Sequence, residues 1–158
     1  MKITKKFQSY VVLILLAALS TGCGEDTPDP GTTDIPGEEI SGTWSVVDSS
    51  DVTGPAADQF ENFTLTVTAT ASEVSYVSTN NGDPIVFPDQ GTIVVDATDN
   101  FEDGAEVLRE PDNVPVTVNL SEGGEVLNLT FTIEVGTNAR TSGINGEYNF
   151  RMEAQSGN

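Results

Sequence analysis

Few side chains in this 158-residue sequence are suited to catalysis or metal binding. It contains one cysteine, Cys23, and no histidine. Because histidine is the usual general base and metal ligand at neutral pH, its absence excludes Ser-His-Asp and Cys-His nucleophiles and histidine-ligated zinc or haem. The three lysines, Lys2, Lys5 and Lys6, all precede Cys23. We therefore expect a protein that is not an enzyme and that has no cofactor.

The densest acidic segment, residues 96–104, is the candidate cation site of the sequence. Counted from Asp99, an EF-hand loop would place Asp103 at its fifth position and Glu110 at its twelfth. Phe101 would then occupy the third position, which requires an oxygen ligand, and no helical pattern flanks the segment. We therefore predict a solvated connection between strands without a metal. The alternative is a calcium site that uses Asp99, Asp103 and Glu110.

The charge of the chain excludes some partners. It has 25 acidic and six basic residues, and its net charge is −19. All the acidic residues follow Cys23, where the only basic residues are Arg109, Arg140 and Arg151. Nucleic acid and anionic lipid are both bound through clustered basic side chains. We therefore expect no nucleic-acid partner, and attachment to a membrane would need acyl chains.

Residues 1–22 have the three regions of a secretory signal peptide. Lys2, Lys5 and Lys6 form a positive start, residues 11–19 are continuously apolar, and three small residues precede Cys23. Nine residues span about 13 Å as a helix, whereas the hydrocarbon core of a bilayer is about 30 Å thick. The segment is therefore too short for a permanent transmembrane helix.

The motif Leu19-Ser20-Thr21-Gly22-Cys23 resembles the lipobox of bacterial lipoproteins, with Leu19 one position further from the cysteine than is usual. The resemblance implies that a diacylglyceryl group is attached to the Cys23 thiol and that the chain is cleaved before Cys23. The new amino group is then usually acylated, for example with palmitate. It further implies a protein held on the outer membrane by its lipid.

Residues 23–39 form the lipidated cysteine and an acidic linker rich in proline and glycine, which favours extended and disordered backbone. Its sixteen residues after Cys23 would reach roughly 50 Å when stretched. Glu25-Asp26 resembles the acidic signal that sends lipoproteins to the cell surface in some Gram-negative groups. Display on the surface and a domain that faces the periplasm both stay open.

Residues 40–158 show the alternation of a β domain. Phe63, Leu65 and Val67 alternate with Thr64 and Thr66, and no long segment has the spacing of an amphipathic helix. We predict an all-β fold of about eight antiparallel strands, either a lipocalin-like barrel or a β-sandwich. The strand-like runs are 40–46, 63–69, 74–78, 91–96, 105–109, 114–120, 126–135 and 146–154.

The Gly42-Thr43-Trp44 motif resembles the Gly-x-Trp of the first strand in lipocalin-like domains. Weaker similarity continues through short motifs at residues 60–65, 87–92, 108–110 and 143–146. The resemblance implies that Trp44 packs against an arginine of the last strand and closes the base of the barrel. Arg151 is the candidate for that arginine, and Arg140 is the alternative.

Two functions follow from this architecture. One is a binding domain that holds a small apolar molecule in the barrel or contacts a glycan or a protein. The other is a structural or assembly lipoprotein whose barrel is filled by side chains and has no small-molecule ligand. The volume of the barrel interior distinguishes them.

Overall fold

The structure, a computed structural model of the chain, describes residues 35–79, 82–136 and 143–155. Within these ranges there are nine β-strands, three short 3-10 helices and no α-helix. The 3-10 helices are Glu38–Ile40, Ser49–Asp51 and Ala57–Phe60. The strands are β1 (Gly42–Ser45), β2 (Val52–Thr53), β3 (Thr64–Ala69), β4 (Val74–Thr79), β5 (Gln90–Val94), β6 (Ala105–Glu110), β7 (Val114–Ser121), β8 (Val126–Ile133) and β9 (Gly146–Ala154).

The strands form a closed antiparallel barrel. Strands β3 to β9 pair in chain order, β1 pairs with β3, and a further pairing of β1 with β9 closes the cylinder. The barrel wall thus has eight strands, and the short β2 pairs with β9 beside β1. The prediction of an all-β fold with about eight antiparallel strands is confirmed, and the structure is the barrel rather than the sandwich.

The closure uses two short pieces of chain. Trp44 pairs with Ala154, and the chain then leaves the wall and returns at Val52, which pairs with Phe150. The Ser49–Asp51 helix lies between these two pieces. The alternation of the sequence did not predict β2, because a two-residue strand is too short to show a period.

The alternation decides which side chains enter the barrel. In β3, Leu65 and Val67 are buried while Thr66 and Thr68 are exposed. The same pattern recurs in β4, β6, β7 and β9. Burial of this apolar face is the main stabilising contribution, at about 1.5–3 kcal/mol for each large apolar side chain.

The last residues of the segment predicted as linker contact the barrel. Gly37 is buried, and a Cβ atom there would lie 2.9 Å from Val74 Cγ2. Its φ of 76° is in the left-handed region that favours glycine. Ile40 follows in the Glu38–Ile40 helix and is 1% exposed. Gly37 therefore allows the chain to turn closely over β4 before it enters β1.

Candidate functional site

The interior of the described barrel is filled by aliphatic side chains and by a cluster of packed aromatic rings. Phe63 packs edge-on against Phe87 and Phe150, with ring centroids 4.9 and 5.0 Å apart, and Phe131 stacks on Phe150 at 5.6 Å. The remaining cavity has a volume of about 20 Å³ and an apolar surface. Sites for small molecules usually have roughly 300–1,000 Å³, and about 10–15 Å³ is enough for one water molecule. The described interior thus has no room for a lipocalin-sized ligand.

One cation, Arg109, lies inside this apolar core and is only 2% exposed. Its guanidinium carbon lies 4.7 Å from the ring centroid of Phe87 and 4.8 Å from that of Phe131. Nη2 donates hydrogen bonds to Val86 O at 3.1 Å and to Asp112 Oδ2 at 2.6 Å. Arg109 is therefore held by a carboxylate at its edge and by aromatic rings at its faces.

The charge of Arg109 is paired within the protein and is not available to a ligand. Nε also donates to Asp112, which neutralises the guanidinium. Nη1 is buried and has no hydrogen-bond partner within the described residues. Contact with the faces of Phe87 and Phe131 offsets part of the cost of removing the cation from water.

Arg109 is not among the site residues predicted from the sequence. The signal was present, since Ala105, Val107 and Arg109 share the inward face of β6 in a strict two-residue alternation. The parity of the strand places the arginine among core side chains, but it does not specify which carboxylate and rings it meets there.

Near Arg109, the backbone of β5 at Gly91 packs closely against β6 and against the side chain of Tyr76. Tyr76 pairs with Gly91 across β4 and β5, and the Tyr76 hydroxyl donates to Glu110 O at 3.5 Å. A Cβ atom on Gly91 would lie 2.1 Å from Glu110 O and 2.7 Å from the Tyr76 hydroxyl. Burial raises the pKa of Tyr76 to about 12, although the Arg109 cation opposes that rise. The residue at position 91 must therefore lack a side chain.

The structure separates the two residues predicted to close the barrel. Trp44 is 3% exposed, as its alternation predicts, and its Nε1 donates to Ile40 O at 3.0 Å. Trp44 pairs with Ala154, so it shares a face with the buried Met152 and lies on the opposite face from Arg151. The buried arginine is Arg109, and the partner of the indole is a backbone carbonyl instead of Arg151.

Arg151 connects three parts of the outer surface. Its Nη1 lies 2.8 Å from Glu153 Oε1 and 3.7 Å from Asp51, and its Nη2 lies 3.7 Å from Glu122. The hydrogen bond to Glu153 raises the pKa of Arg151 above its usual value. Its side chain is 38% exposed, so these ion pairs contribute little to stability.

The residues of the calcium alternative are not brought together. Asp99 accepts a hydrogen bond from Asp96 N, Asp103 accepts one from Asn100, and Glu110 accepts one from Thr92. No group of three or more acidic or cysteine side chains in the described ranges is arranged to hold a metal ion. Phe101, which stood at a ligand position, is 1% exposed and anchors the segment in the core.

The carboxyl group of Asp96 accepts hydrogen bonds within the acidic segment 96–104. Hydrogen bonds from the backbone and hydroxyl groups of Thr98 hold the pKa of the Asp96 carboxyl below its usual value. The acidic residues of this segment therefore form local turns, which agrees with the prediction of a solvated connection between β5 and β6.

The outer wall over β4, β5 and β6 is concave. It carries two depressions of about 700 and 310 Å³, and both are lined by Glu73, Thr92 and Glu110. Val77 borders the larger depression and Val94 borders the smaller one. Both of these depressions thus lie outside the barrel and have larger volumes than the cavity inside it.

Comparison of the chain with protein-family models, curated proteins and solved structures gave no match. The fold and its interior define the class, a closed eight-stranded antiparallel β-barrel with a filled core. No helix in the described ranges is long and apolar enough to cross a membrane. Cys23, the signal peptide, most of the linker and Arg140 lie outside the described residues, so their assignments stay predictions.

Proposed function

We propose that this chain is an exported, lipid-anchored protein whose lipocalin-like barrel is a non-enzymatic structural or assembly module that acts through its outer wall. The observation that carries the proposal is the interior volume of about 20 Å³, against an outer depression of about 700 Å³. The lipobox-like motif that ends at Cys23 supports the anchor. An apolar ligand inside the barrel, the competing function, would need the aromatic core to open.

The interior part of the proposal is tested with benzene as a probe. We expect no saturable binding of benzene to the full-length protein in a neutral detergent, and no stoichiometric lipid in an organic extract of it. Leu129→Ala is the positive control, because Leu129 borders the cavity and its truncation leaves an apolar space that benzene can enter. A stoichiometric apolar molecule in the extract of the unmodified protein would overturn the proposal.

The anchor is tested by metabolic labelling with palmitate. We expect Cys23→Ser to abolish the label and to leave an uncleaved precursor, since the thiol that accepts the diacylglyceryl group is gone. Ser20→Leu is the matched control, because it restores the more usual residue three positions before the cysteine and should retain the label. Normal labelling of Cys23→Ser would disprove the anchor.

The side of the outer membrane is tested by treating intact cells with protease. If the barrel is displayed on the surface, the linker is cut while the folded barrel survives. Protection until the outer membrane is breached would place the domain in the periplasm instead. If Glu25→Ala with Asp26→Ala leaves the cleavage unchanged, those two residues are not the surface signal.

A further inference from the structure

Three apolar side chains form a row on the outer wall of the barrel. Val94 pairs directly with Leu108, and Leu108 pairs directly with Pro115. All three are exposed, Val94 by 53% and Leu108 by 36%. Directly opposed residues lie about 4.5–5.5 Å apart, so the row, here called the β5–β7 row, spans about 10 Å across three strands.

The row departs from the pattern of the remaining wall. Most outward positions elsewhere carry polar side chains, such as Thr66 and Thr68 of β3 and Thr130 of β8, whereas Val77 of β4 is an exposed apolar residue outside the row. A soluble sheet normally keeps its solvated face polar, so three adjoining exposed apolar side chains on that face make the row a candidate interaction surface. The row also lies beside the outer depressions, because Val94 lines the smaller of them and Glu110, two positions from Leu108, lines both.

Acidic side chains flank the row. Glu106 and Glu110 stand two positions on either side of Leu108 on the same face of β6, and Glu73 lines both neighbouring depressions. The exposed cation of the described barrel, Arg151, belongs to β9 and is already paired with three carboxylates. Within the part of the chain that the structure describes, the flanks are therefore anionic and no basic side chain neutralises them.

We infer that the β5–β7 row is a docking surface for a protein partner that presents apolar side chains flanked by lysine or arginine. Charge complementarity selects this occupant, because a second copy of the chain would bring two acidic flanks together. A glycan would use exposed aromatic platforms, whereas Tyr76, the aromatic residue nearest the larger depression, is only 2% exposed. The inference rests on the proposed function, in which a filled barrel leaves the outer wall as the contact surface.

The closed wall determines how the partner is held. Each of β5, β6 and β7 is hydrogen-bonded on both sides, so this part of the sheet has no free edge to which a partner could add a strand. Recognition must come from side chains, with apolar contact at Val94 and Leu108 and ion pairs at Glu106 and Glu110.

The test uses the full-length protein in a neutral detergent and three fluorescent peptides of equal length. One alternates leucine with lysine, one alternates serine with lysine, and one alternates leucine with glutamate. We expect the leucine–lysine peptide to bind at least about tenfold more tightly than the other two, because only it matches both the apolar row and its acidic flanks. Equal binding of the serine–lysine peptide would overturn the inference, since the general acidity of the protein would then explain all the binding.

Variants locate the contact. Val94→Ser with Leu108→Ser leaves the charge unchanged and should weaken binding of the leucine–lysine peptide about tenfold. Val47→Ser is the matched control, because Val47 is 59% exposed on the segment after β1, and binding should change by less than about twofold. Equal losses in the two variants, or no loss in the double variant, would overturn the inference.

Sedimentation of the unmodified protein and the double variant examines the second-copy alternative. A dimer that the double substitution abolishes would overturn the inference in favour of self-association, and a monomer in both cases supports it. These peptide and sedimentation measurements report on the outer wall alone. Their failure is therefore distinguishable from failure of the proposed function, which the benzene and extraction experiments report.

Discussion

Asp112 holds the guanidinium of Arg109 through two hydrogen bonds, from Nη2 to Oδ2 at 2.6 Å and from Nε to Oδ1 at 3.2 Å. The two residues are separated by three positions, so the turn from β6 to β7 brings the carboxylate back over the end of the arginine. Arg109 is 2% exposed and Asp112 is 26% exposed. The turn must therefore keep this conformation for the buried guanidinium of Arg109 to retain its counter-charge.

Asp112→Asn should lower the free energy of unfolding by about 2–4 kcal/mol, because it leaves the buried guanidinium without its counter-charge. This expected loss is smaller than that for a fully buried ion pair, because solvent reaches part of Asp112. Denaturant titration measures it, with Glu125→Gln on the exposed β7–β8 turn as the control. Addition of Arg109→Met to Asp112→Asn should recover part of the loss, because the unpaired charge is then removed. If Asp112→Asn is as stable as the control, the ion pair does not stabilise the fold.

Gly91→Ala should destabilise the barrel by at least about 1–3 kcal/mol, because the added methyl group meets the backbone carbonyl of Glu110, which cannot move without disturbing the β5–β6 pairing. Thermal unfolding followed by circular dichroism reports the loss. Gly136→Ala is the matched control, since a Cβ atom there would have no neighbour within 4 Å. Equal melting temperatures for the two variants would show that the close approach at Gly91 is not tight.

Tyr76 should retain its proton well above pH 10. Its pKa in the folded protein is about 12 and its ordinary value is 10.0, so its contribution to stability is complete below pH 10 and is lost as the pH rises from 10 to 12. Tyrosinate absorbance is followed in Tyr148→Phe, because burial also raises the pKa of Tyr148; Tyr76 then remains together with Tyr10 of the predicted signal peptide. The double variant Tyr148→Phe with Tyr76→Phe should lose the late alkaline step. Ionisation of Tyr76 near pH 10 in folded protein would contradict its burial beside Arg109.

Trp44→Ala should cost about 3–5 kcal/mol, because the indole is almost fully buried in the core. Trp44→Phe keeps most of the apolar surface but loses the hydrogen bond to Ile40 O, so it should cost less. Trp44 is the only tryptophan of the chain, so its fluorescence is a direct check. We expect an emission maximum at short wavelength that moves to longer wavelength on unfolding. A solvent-like maximum in the folded protein would show that Trp44 is exposed.

Alternation in the sequence determined most of the barrel wall. Each predicted strand from Phe63 onward corresponds to an observed strand, with ends that differ by a few residues, because a half-buried strand must alternate apolar and polar side chains. In the turn from β7 to β8, Gly123 and Gly124 have φ values of 70° and 91°, which favour glycine. Burial of Trp44 followed from the same alternation.

Closure and filling of the barrel were decided only by the tertiary structure. Strand patterns are the same for a barrel and a sandwich, and the distinction lies in the pairing of Trp44 with Ala154, residues 110 positions apart. Likewise, Phe63, Phe87, Phe131 and Phe150 come from four separate segments, so their joint occupation of the interior is a property of packing. Arg151 and Arg109 were both arginines on predicted strands, and only strand parity combined with the positions of Asp112, Phe87 and Phe131 decides which one is buried. Local sequence determines which face of a strand is apolar, whereas the volume enclosed between those faces depends on contacts between distant residues.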